Sequence, residues 1–287
     1  MLLSARSRFI SEQAVKKSLT NNVQLPAKMN ANLCAKLGLP ENTIVENLSK
    51  VNTRGVGATQ CRPYIVTLKG GVKLFLKLSP RNKNSIIEQA KADQNIQAVL
   101  GKNPHPFITM MPNSGVPVSE NGTHNEMLFF PFVPGDNLFI TMTYRNPDHS
   151  AAMLQFADIG KCLANMHIQC MKLSGTYDQF IQEGCVLSKV LIHDDWQSTN
   201  LMITPENKAI IIDTEGTSYS GNKPYRNIAE SWELSGKDAA LMTALLDAYI
   251  NEFDPDLQPQ VRESVTTALL QQHGLAIEEL KRPVPNR

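Results

Sequence analysis

The chain has 287 residues, a net charge of +1, 42% hydrophobic side chains and 19% charged side chains. These values are typical of a soluble globular protein with one large domain or two closely packed lobes, and they do not indicate a nucleic-acid partner. No apolar run approaches the roughly 20 residues of a membrane-spanning helix. The five cysteines form no C-x-x-C pair, and the first residues lack the apolar block of a secretory signal peptide. The sequence therefore predicts no transmembrane segment, zinc site or disulfide framework, and it favours a cytoplasmic protein.

The charges are unevenly distributed along the chain. Residues 1–126 contain 16 Lys and Arg against 7 Asp and Glu, residues 127–213 contain 5 against 9, and residues 214–287 contain 7 against 11. A basic first part and an acidic remainder indicate a division of roles between two lobes, although solvated faces of unequal charge give the same pattern.

The first half of the chain favours β-structure after a polar beginning. Residues 1–50 are mostly polar with some helical character, and we expect an N-terminal extension that packs on or docks the lobe that follows. The elements predicted after it are an antiparallel hairpin of Tyr64–Leu68 and Val72–Leu78, a helix from about Ser85 to Leu100, and strands at Phe107–Met111 and Met127–Val133. Alternation in the second hairpin strand places Lys73, Phe75 and Lys77 on one face.

The second half favours helices and begins after Pro134-Gly135. Apolar residues from Ala152 to Cys170 recur at spacings of 3 and 4, which predicts a long buried helix. The elements predicted after it are short strands at Val190–Ile192, Leu201–Ile203 and Ala209–Ile212, and two or three helices from about Glu230. A strand-rich part joined to a helical part indicates a two-lobed α+β fold.

The most informative pattern is a set of polar residues beside the short strands. His193, Asp195 and Asn200 form His-x-Asp-x-x-x-x-Asn, and Asp213 ends a run of three isoleucines, 13 residues after Asn200. Phosphoryl transfer needs a carboxylate that positions or deprotonates an acceptor hydroxyl, and amide and carboxylate oxygens that hold magnesium against nucleotide phosphates. Strand ends would fix such groups in place. The pattern therefore favours a phosphotransferase.

This pattern resembles the catalytic loop and metal-binding Asp of the protein-kinase-like fold, in the branch of aminoglycoside phosphotransferases, choline kinases and fructosamine kinases. Three more stretches are similar to that branch: the strand and hinge at Leu128–Leu138, the Leu-Ala-x-x-His helix end at Leu163–His167, and the Asp-x-Glu pattern at Asp213–Gly216. The resemblance covers roughly residues 54–221. It implies an antiparallel β-sheet N-lobe at 51–133 that binds nucleotide and a mainly helical C-lobe at 134–287 that carries catalysis and the acceptor site.

The resemblance also implies roles for the four residues of the pattern. Asp195 is expected to be the catalytic carboxylate, and Asn200 and Asp213 are expected to bind magnesium. For Asp213 a purely structural role is unfavourable, because a carboxylate that closes a buried isoleucine strand is costly without a partner. His193 is expected to orient the catalytic loop rather than to transfer protons.

The roles of two further acidic residues stay open. Asp194 stands where the phosphotransferase branch usually has Gly and protein kinases have Arg. Two adjacent carboxylates beside magnesium would repel each other unless the metal or a basic group compensates. Glu215 could touch a second magnesium ion or the substrate, or it could be a surface carboxylate.

A lysine on the second hairpin strand is expected to contact the nucleotide phosphates. Lys77 matches the family's lysine for the α- and β-phosphates, and Lys73, on the same face, is the competing candidate. The helix that follows offers Glu88 as the partner carboxylate of Lys77, with a solvated helix face as the alternative reading of Glu88.

Four more residues are expected to surround the nucleotide. Gly55 and Gly57 precede the first clear strand, where glycines let backbone amides approach phosphates, although an ordinary turn has the same sequence. Phe130 and Phe132 could line the adenine slot or could be buried strand side chains.

The sequence thus predicts a kinase that uses ATP and Mg2+ to phosphorylate a hydroxyl acceptor. A small molecule resembling an aminoglycoside or an amino sugar is the first expectation, since the acidic rear segment suits a cationic acceptor. The alternative is an atypical Ser/Thr protein kinase, for example a bacterial effector secreted into a host cell, in which the first 50 polar residues could be a secretion or docking segment. No Ala-Pro-Glu follows Asp213, which argues against a conventional regulated protein kinase. A pseudokinase and an AMP transferase are less favoured. The acceptor itself is not specified by the sequence.

Overall fold

The structure is a computed structural model, and it describes residues 34, 39–40, 43–51, 62–80, 85–101, 107–109, 111, 116–120, 123–214, 217–220 and 223–275. The chain divides into two compact units. The first takes its described residues from 1–86 and 110–132, and the second from 87–109 and 133–287. The division after residue 132 lies one residue before the predicted lobe boundary, whereas residues 87–109 belong to the second unit rather than with residues 51–133.

The first unit contains a five-stranded antiparallel sheet with the strand order β1-β2-β3-β5-β4. Its strands are β1 (Val45–Lys50), β2 (Arg62–Leu68), β3 (Lys73–Pro80), β4 (Val116–Glu120) and β5 (Thr123–Pro131). The hairpin of β2 and β3 confirms the prediction, with Ile65 opposite Phe75. Strand β1 was not predicted, because its sequence VENLSK is polar and lacks the β-branched alternation that marks β2.

The sheet buries one face of the hairpin, and that face follows from strand alternation. Tyr64, Val66, Leu74 and Leu76 are buried and pack with Phe129 of β5 in a single apolar cluster. Residues two apart on a strand share a face, so the spacing of these side chains alone directs them to the same side. The predicted antiparallel β-sheet of the first lobe is therefore confirmed.

The second unit is mainly helical, with short strands between its helices. The helices are α1 (Ser85–Leu100), α2 (Leu138–Ile140, continued by a π-helical turn at Thr141–Arg145), α3 (His149–Ser174), α4 (Tyr177–Gln182), α5 (Arg226–Leu234), α6 (Ala239–Asn251) and α7 (Gln258–His273). The strands are β6 (Asp136–Asn137), β7 (Leu191–His193), β8 (Leu201–Ile203), β9 (Ala209–Ile211) and β10 (Thr217–Tyr219). They form one sheet in the order β6-β8-β9 and one β10-β7 pair, all antiparallel.

Two glycines allow the close packing that brings these strands and helices together. A Cβ on Gly160 of α3 would lie 2.1 Å from the carbonyl oxygen of Leu245 in α6, so only glycine lets the two helices approach. Gly135 has φ +122°, and a Cβ there would lie 2.0 Å from the carbonyl oxygen of Ile203 in β8. The glycine of the Pro134-Gly135 pair therefore allows the backbone to pack directly against β8.

One predicted strand is wrong. Phe107 makes only a single parallel bridge to Ile211, and the next residue, Ile108, donates its N–H to the Ile211 carbonyl at 2.9 Å. Phe107 is buried beside this contact, and the described residues 107–109 and 111 form no ladder of their own. Across the described ranges, no helix is long and apolar enough to cross a membrane.

Candidate active site

Three strand ends in the second unit bring the predicted catalytic residues to one place. The Ile212 N–H donates to the Asn200 carbonyl at 2.9 Å, and His193 Nε2 lies 3.2 Å from the Ile212 carbonyl oxygen. Asp195 lies two residues after His193, which ends β7. Asp213 comes directly after Ile212, which follows the end of β9. The structure therefore places Asp195, Asn200 and Asp213 around a shared set of backbone hydrogen bonds.

His193 is fully buried and holds this arrangement through a neutral ring. Burial lowers the pKa of His193 below its ordinary value, since a charged imidazolium would lose its hydration there. The neutral ring donates from Nε2 to the Ile212 carbonyl, and it meets the Trp196 ring edge-on at a centroid distance of 6.1 Å. These contacts orient the loop and leave the ring remote from bulk solvent.

Asn227 of α5 fixes the backbone of His193, and this was not predicted from the sequence. The His193 N–H donates to Asn227 Oδ1 at 2.8 Å, and Asn227 Nδ2 donates to the His193 carbonyl, also at 2.8 Å. A second link runs through Ser231, whose hydroxyl donates to the Asn227 carbonyl at 2.7 Å and accepts from Trp196 Nε1 at 3.0 Å. A buried Asn 34 residues downstream gives no local signal of this pairing.

The Asp195 carboxylate is exposed and is held by amides from its own loop. Gln197 Nε2 lies 2.8 Å from each of the two carboxylate oxygens, and Asn200 Nδ2 donates to Oδ2 at 2.9 Å. Asn200 also donates to the Asp195 carbonyl at 3.0 Å, so its amide nitrogen faces Asp195 and its Oδ1 is turned away. Gln197 is thus a site residue that the sequence prediction missed.

The neighbouring Asp194 is compensated by a basic partner. Arg226 donates to Asp194 Oδ1 at 3.1 Å and to its carbonyl at 3.0 Å, and the Ser218 hydroxyl donates to Oδ2 at 2.7 Å. Arg226 also pairs with Glu230 through Nε at 2.7 Å. The expected repulsion between adjacent carboxylates is therefore offset by an ion pair to Asp194, which keeps its side chain engaged with α5 and β10.

Asp213 has a backbone conformation that few residues adopt. Its φ is +58°, in the left-handed region that Asp tolerates better than most residues do. Its side chain is half-buried, while the next residue, Thr214, is completely buried. The sharp turn at Asp213 separates the end of β9 from the segment that leads to β10.

The two lysines that compete for the phosphate role differ in burial. Lys77 is buried, with 8% of its surface exposed, whereas Lys73 is exposed and places its Nζ 5.4 Å from the centre of the Phe132 ring. Phe130 is buried, and its ring centre lies 6.2 Å from that of Phe75. Lys73 therefore makes a cation–π contact with Phe132, and Lys77 is the buried lysine of the two.

Three of the site residues discussed from the sequence lie outside the described part of the chain, and a fourth is described only in part. Gly55, Gly57 and Glu215 are not described at all, and Glu88 is described only as a backbone position on α1. On the described face of α1, the buried polar side chains are Gln89 and Asp93.

Asn200 and Asp213 carry the kinds of side chain that can take part in a magnesium site. Magnesium is typically bound by one or two carboxylates with substrate phosphates and water, rather than by an all-protein cage. Among the described residues, no group of three or more His, Cys, Asp or Glu side chains could hold a metal. The Ile212–Asn200 backbone hydrogen bond links the segments that carry Asn200 and Asp213, whose amide and carboxylate are donor types of the first arrangement.

Comparison with known proteins finds similarity only among solved structures. No protein-family model and no curated protein matches the chain. An aminoglycoside phosphotransferase from Alicyclobacillus acidocaldarius is 12% identical with a TM-score of 0.49, over 83% of this chain and 86% of that one. A macrolide 2'-phosphotransferase from Brachybacterium faecium is 15% identical with a TM-score of 0.48, over 89% of this chain and 99% of that one.

An amicoumacin kinase is also similar to this chain. It was solved in complex with AMP-PNP, Ca2+ and Ami, and it is 13% identical with a TM-score of 0.49, over 94% of this chain and 90% of that one. At these identities and TM-scores the likeness does not specify the reaction or the substrate of this chain.

Proposed function

We propose that the chain is a phosphotransferase that moves the γ-phosphate of ATP to a hydroxyl acceptor with the help of magnesium. The observation that carries this proposal is the set of hydrogen bonds joining His193, Asn200 and Ile212, which gathers Asp195, Asn200 and Asp213 at adjoining strand ends. A carboxylate for the acceptor and two oxygen ligands for a metal are the side chains that phosphoryl transfer requires.

Asp195 positions the acceptor hydroxyl and takes its proton. Its carboxylate is exposed, so an acceptor can reach it, and the amides of Gln197 and Asn200 hold it in one orientation. A carboxylate fixed in this way spends no free energy on reorientation when the hydroxyl arrives. This restraint favours a role in aligning the nucleophile as well as in accepting the proton.

Asn200 and Asp213 supply the magnesium ligands. Asn200 turns its amide nitrogen toward Asp195, which leaves Oδ1 as the atom for the metal, and Asp213 contributes a carboxylate oxygen. Magnesium in this position would neutralise charge on the phosphates of the bound nucleotide. The compensation of Asp194 by Arg226 supports this assignment, because it assigns Asp194 to a separate ion pair.

The nucleotide contacts of the first unit are part of the same proposal. In this proposal Lys77 binds the α- and β-phosphates, and its burial restricts the positions of its ammonium. Phe130 and Phe132 border the adenine. The phosphate-covering role of Gly55 and Gly57, which lie outside the described residues, is retained only as a prediction from the sequence. Glu88 is retained as the acidic partner of Lys77 only as a prediction from the sequence.

The acceptor we propose is a small cationic molecule with a hydroxyl group, of the amino-sugar or aminoglycoside class. Residues 214–287 contain 11 acidic and 7 basic side chains, and they lie in the part of the chain to which the resemblance assigns the acceptor site. A negative surface favours cationic ligands through long-range attraction. The alternative acceptor is a Ser or Thr hydroxyl of a protein, as in an atypical protein kinase.

The test is label transfer from ATP carrying a radioactive γ-phosphate, with magnesium present. The full chain is incubated alone, with a cell lysate, and with a panel of aminoglycosides and amino sugars, beside the Asp213→Asn variant as a matched control. Label in a small molecule, lost in Asp213→Asn, supports the proposal. Label in lysate proteins replaces the small molecule with a protein acceptor.

A parallel reaction with ATP labelled in the α-phosphate separates the remaining outcomes. Label from the α-phosphate alone would overturn the proposal in favour of AMP transfer. Nucleotide binding without any transfer would overturn it in favour of a pseudokinase, provided that the panel and the lysate both stay unlabelled.

A further inference from the structure

The residue after Asp213 is tied to helix α1 by a closed set of buried hydrogen bonds. Gln89 Nε2 donates to Asp93 Oδ1 at 2.7 Å and to Thr214 Oγ1 at 2.5 Å, and the Thr214 hydroxyl donates to the same Asp93 oxygen at 2.8 Å. Gln89 and Thr214 have no exposed surface, and Asp93 is 5% exposed. We call Gln89, Asp93 and Thr214 the α1 triad.

The α1 triad holds Asp213 from one side, and the strand ends hold it from the other. On the N-terminal side, Ile212 is fixed through its N–H by Asn200 and through its carbonyl by His193. On the C-terminal side, Thr214 is fixed by Gln89 and Asp93. With both neighbours fixed, the backbone of Asp213 is restrained in its left-handed conformation, and its carboxylate leaves the chain in a defined direction.

The composition of the triad argues against a purely packing role. Gln89 Oε1 is buried without a hydrogen-bond partner among the described residues, which is unfavourable for folding. An apolar side chain at position 89 would fill the same space without an unpaired carbonyl. The amide is explained if its N–H groups are needed to hold Thr214 beside Asp93.

We infer that Thr214 is a positioning residue, and that its hydroxyl, held by Gln89 and Asp93, aims the Asp213 carboxylate toward a bound divalent cation. This inference rests on the proposed function, because it takes Asp213 as a metal ligand. It adds that the position of α1 is coupled to the metal site, since two of the three members of the triad lie on that helix. Thr214 itself touches neither the metal nor the substrate.

The experiment measures binding of Mn2+ in the presence of AMP-PNP by the electron paramagnetic resonance signal of free Mn2+. Manganese is chosen as the probe because it accepts the oxygen ligands that suit magnesium. The variants are Thr214→Val, which removes the hydroxyl at nearly constant volume, and Thr214→Ser, which keeps it. Thr217→Val is the matched control, since Thr217 is also buried but its hydroxyl has no hydrogen-bond partner among the described residues.

Thr214→Val is expected to weaken Mn2+ binding about tenfold, the usual effect of losing a group that orients a metal ligand. Binding of AMP-PNP without metal should stay unchanged, Thr214→Ser should restore most of the Mn2+ affinity, and Thr217→Val should resemble the parent. Mn2+ affinity that is unchanged in Thr214→Val, or equally weakened in Thr217→Val, would overturn the inference while leaving the proposed function intact.

Two further outcomes are separated by the design. If the parent protein binds no Mn2+ with AMP-PNP, the proposed function fails and the positioning role fails with it. If Thr214→Val does not fold, Gln89→Met decides, because it removes both Gln89 hydrogen bonds and leaves the Thr214–Asp93 bond in place. Weaker Mn2+ binding in folded Gln89→Met would support the inference, and unchanged binding would overturn it.

Discussion

The Asp195 carboxylate is held by side chains of its own loop, whereas the residue after Asp213 is held by a helix far earlier in the chain. Gln197 and Asn200 lie two and five residues from Asp195. The partners of Thr214 on α1 lie 121 and 125 residues before it. One candidate carboxylate is therefore restrained by local sequence, and the other depends on the tertiary fold.

This difference bears on how each site residue responds to change. A local restraint survives as long as its loop forms, so a distant substitution should disturb the Asp195 carboxylate only if it also displaces the loop backbone. A restraint through α1 is lost whenever that helix shifts, even if the residues around Asp213 are unchanged. Metal binding should therefore be more sensitive to distant substitutions than acceptor positioning is.

The largest expected effect comes from replacing the carboxylate that is held locally. In Asp195→Asn the group keeps its size and loses its capacity to accept a proton, so kcat should fall about 1,000-fold, within the range for a lost general base. The affinity for ATP with magnesium should change less than about twofold, because Asp195 is not proposed as a metal ligand. Steady-state kinetics and nucleotide titration measure the two quantities.

Asp194→Asn is the matched control for this substitution, since it changes the adjacent carboxylate in the same way. We expect it to retain most of the turnover, because Asp194 is engaged by Arg226 and Ser218. Equal losses in the two variants would contradict the assignment of Asp195 as the catalytic carboxylate.

The next effect tests the distant anchor of the loop backbone at His193, which is the Asn227 side chain on α5. Asn227→Ala leaves the buried N–H and carbonyl of His193 without partners, and it should lower the free energy of unfolding by about 3 kcal/mol. Turnover should fall as well, because His193 leads directly into Asp195. Urea unfolding and kinetics check both, with Asn251→Ala, at the exposed end of α6, as a control that should change neither.

An unfolding free energy that is unchanged in Asn227→Ala would mean that water replaces the lost hydrogen bonds at His193. In that case the loop backbone at His193 would not depend on α5. Asp195 and Asp213 would then differ even more in how far their positions depend on distant residues.

The same contrast explains how much of the site could be predicted. His193, Asp195 and Asn200 fall within eight consecutive residues, so their spacing was readable as a motif. Arg226 and Asn227 carry no such signal, because their partners lie more than thirty residues away. Sequence patterns report local geometry, and the contacts that adjust the charge and backbone of the loop are tertiary.

Helix α1 offered a signal that the sequence prediction did not use. Its bounds match the predicted Ser85 to Leu100, and Glu88 is the only residue of this helix that the sequence prediction assigns to the site. Gln89, Asp93 and Ile96 are spaced by four and three residues, which puts them on one helix face. Polar residues aligned with a buried isoleucine indicate a buried polar contact, although nothing local identifies Thr214 as the partner.

The fold was predictable where the pattern was regular. The β2–β3 hairpin and the long helix α3 follow from alternation and from spacings of three and four, and both are present. Strand β1 was missed because an edge strand can be polar, and Phe107 was misread because a short apolar run also suits a single buried bridge.

A smaller effect tests a buried histidine outside the site. Burial lowers the pKa of His167 to about 3, so His167 is neutral when folded and protonates near its ordinary value only when unfolded. The unfolded state then binds more protons as the pH falls below about 6.5, and stability is lost in that direction. Between pH 7 and pH 5 the loss from this residue should be about 2 kcal/mol.

His167→Gln isolates this contribution, because glutamine does not titrate and can still reach the Tyr249 hydroxyl that His167 contacts at 2.9 Å. Between pH 7 and pH 5 the unfolding free energy should fall by about 2 kcal/mol less in the variant than in the parent. The carboxylates of the candidate active site should be unaffected. Parallel curves for the parent and the variant would show that His167 titrates alike in both states.

The smallest effect concerns the ion pair between Arg226 and Asp194. Arg226→Met keeps the length of the side chain and leaves Asp194 uncompensated, and turnover should fall about threefold, since a half-exposed ion pair contributes at most about 1 kcal/mol. Arg262→Met, which breaks a similar exposed pair with Asp247, should leave turnover unchanged.

The double variant Arg226→Met with Asp194→Asn gives the decisive comparison. If the loss comes from an unpaired negative charge beside Asp195, removing that charge should restore turnover to the level of Asp194→Asn alone. If the double variant stays as slow as Arg226→Met, the role of Arg226 is its hydrogen bond to the Asp194 carbonyl, at 3.0 Å. In that case Arg226 acts on the loop backbone, and the Asp195 loop has a second distant anchor beside Asn227.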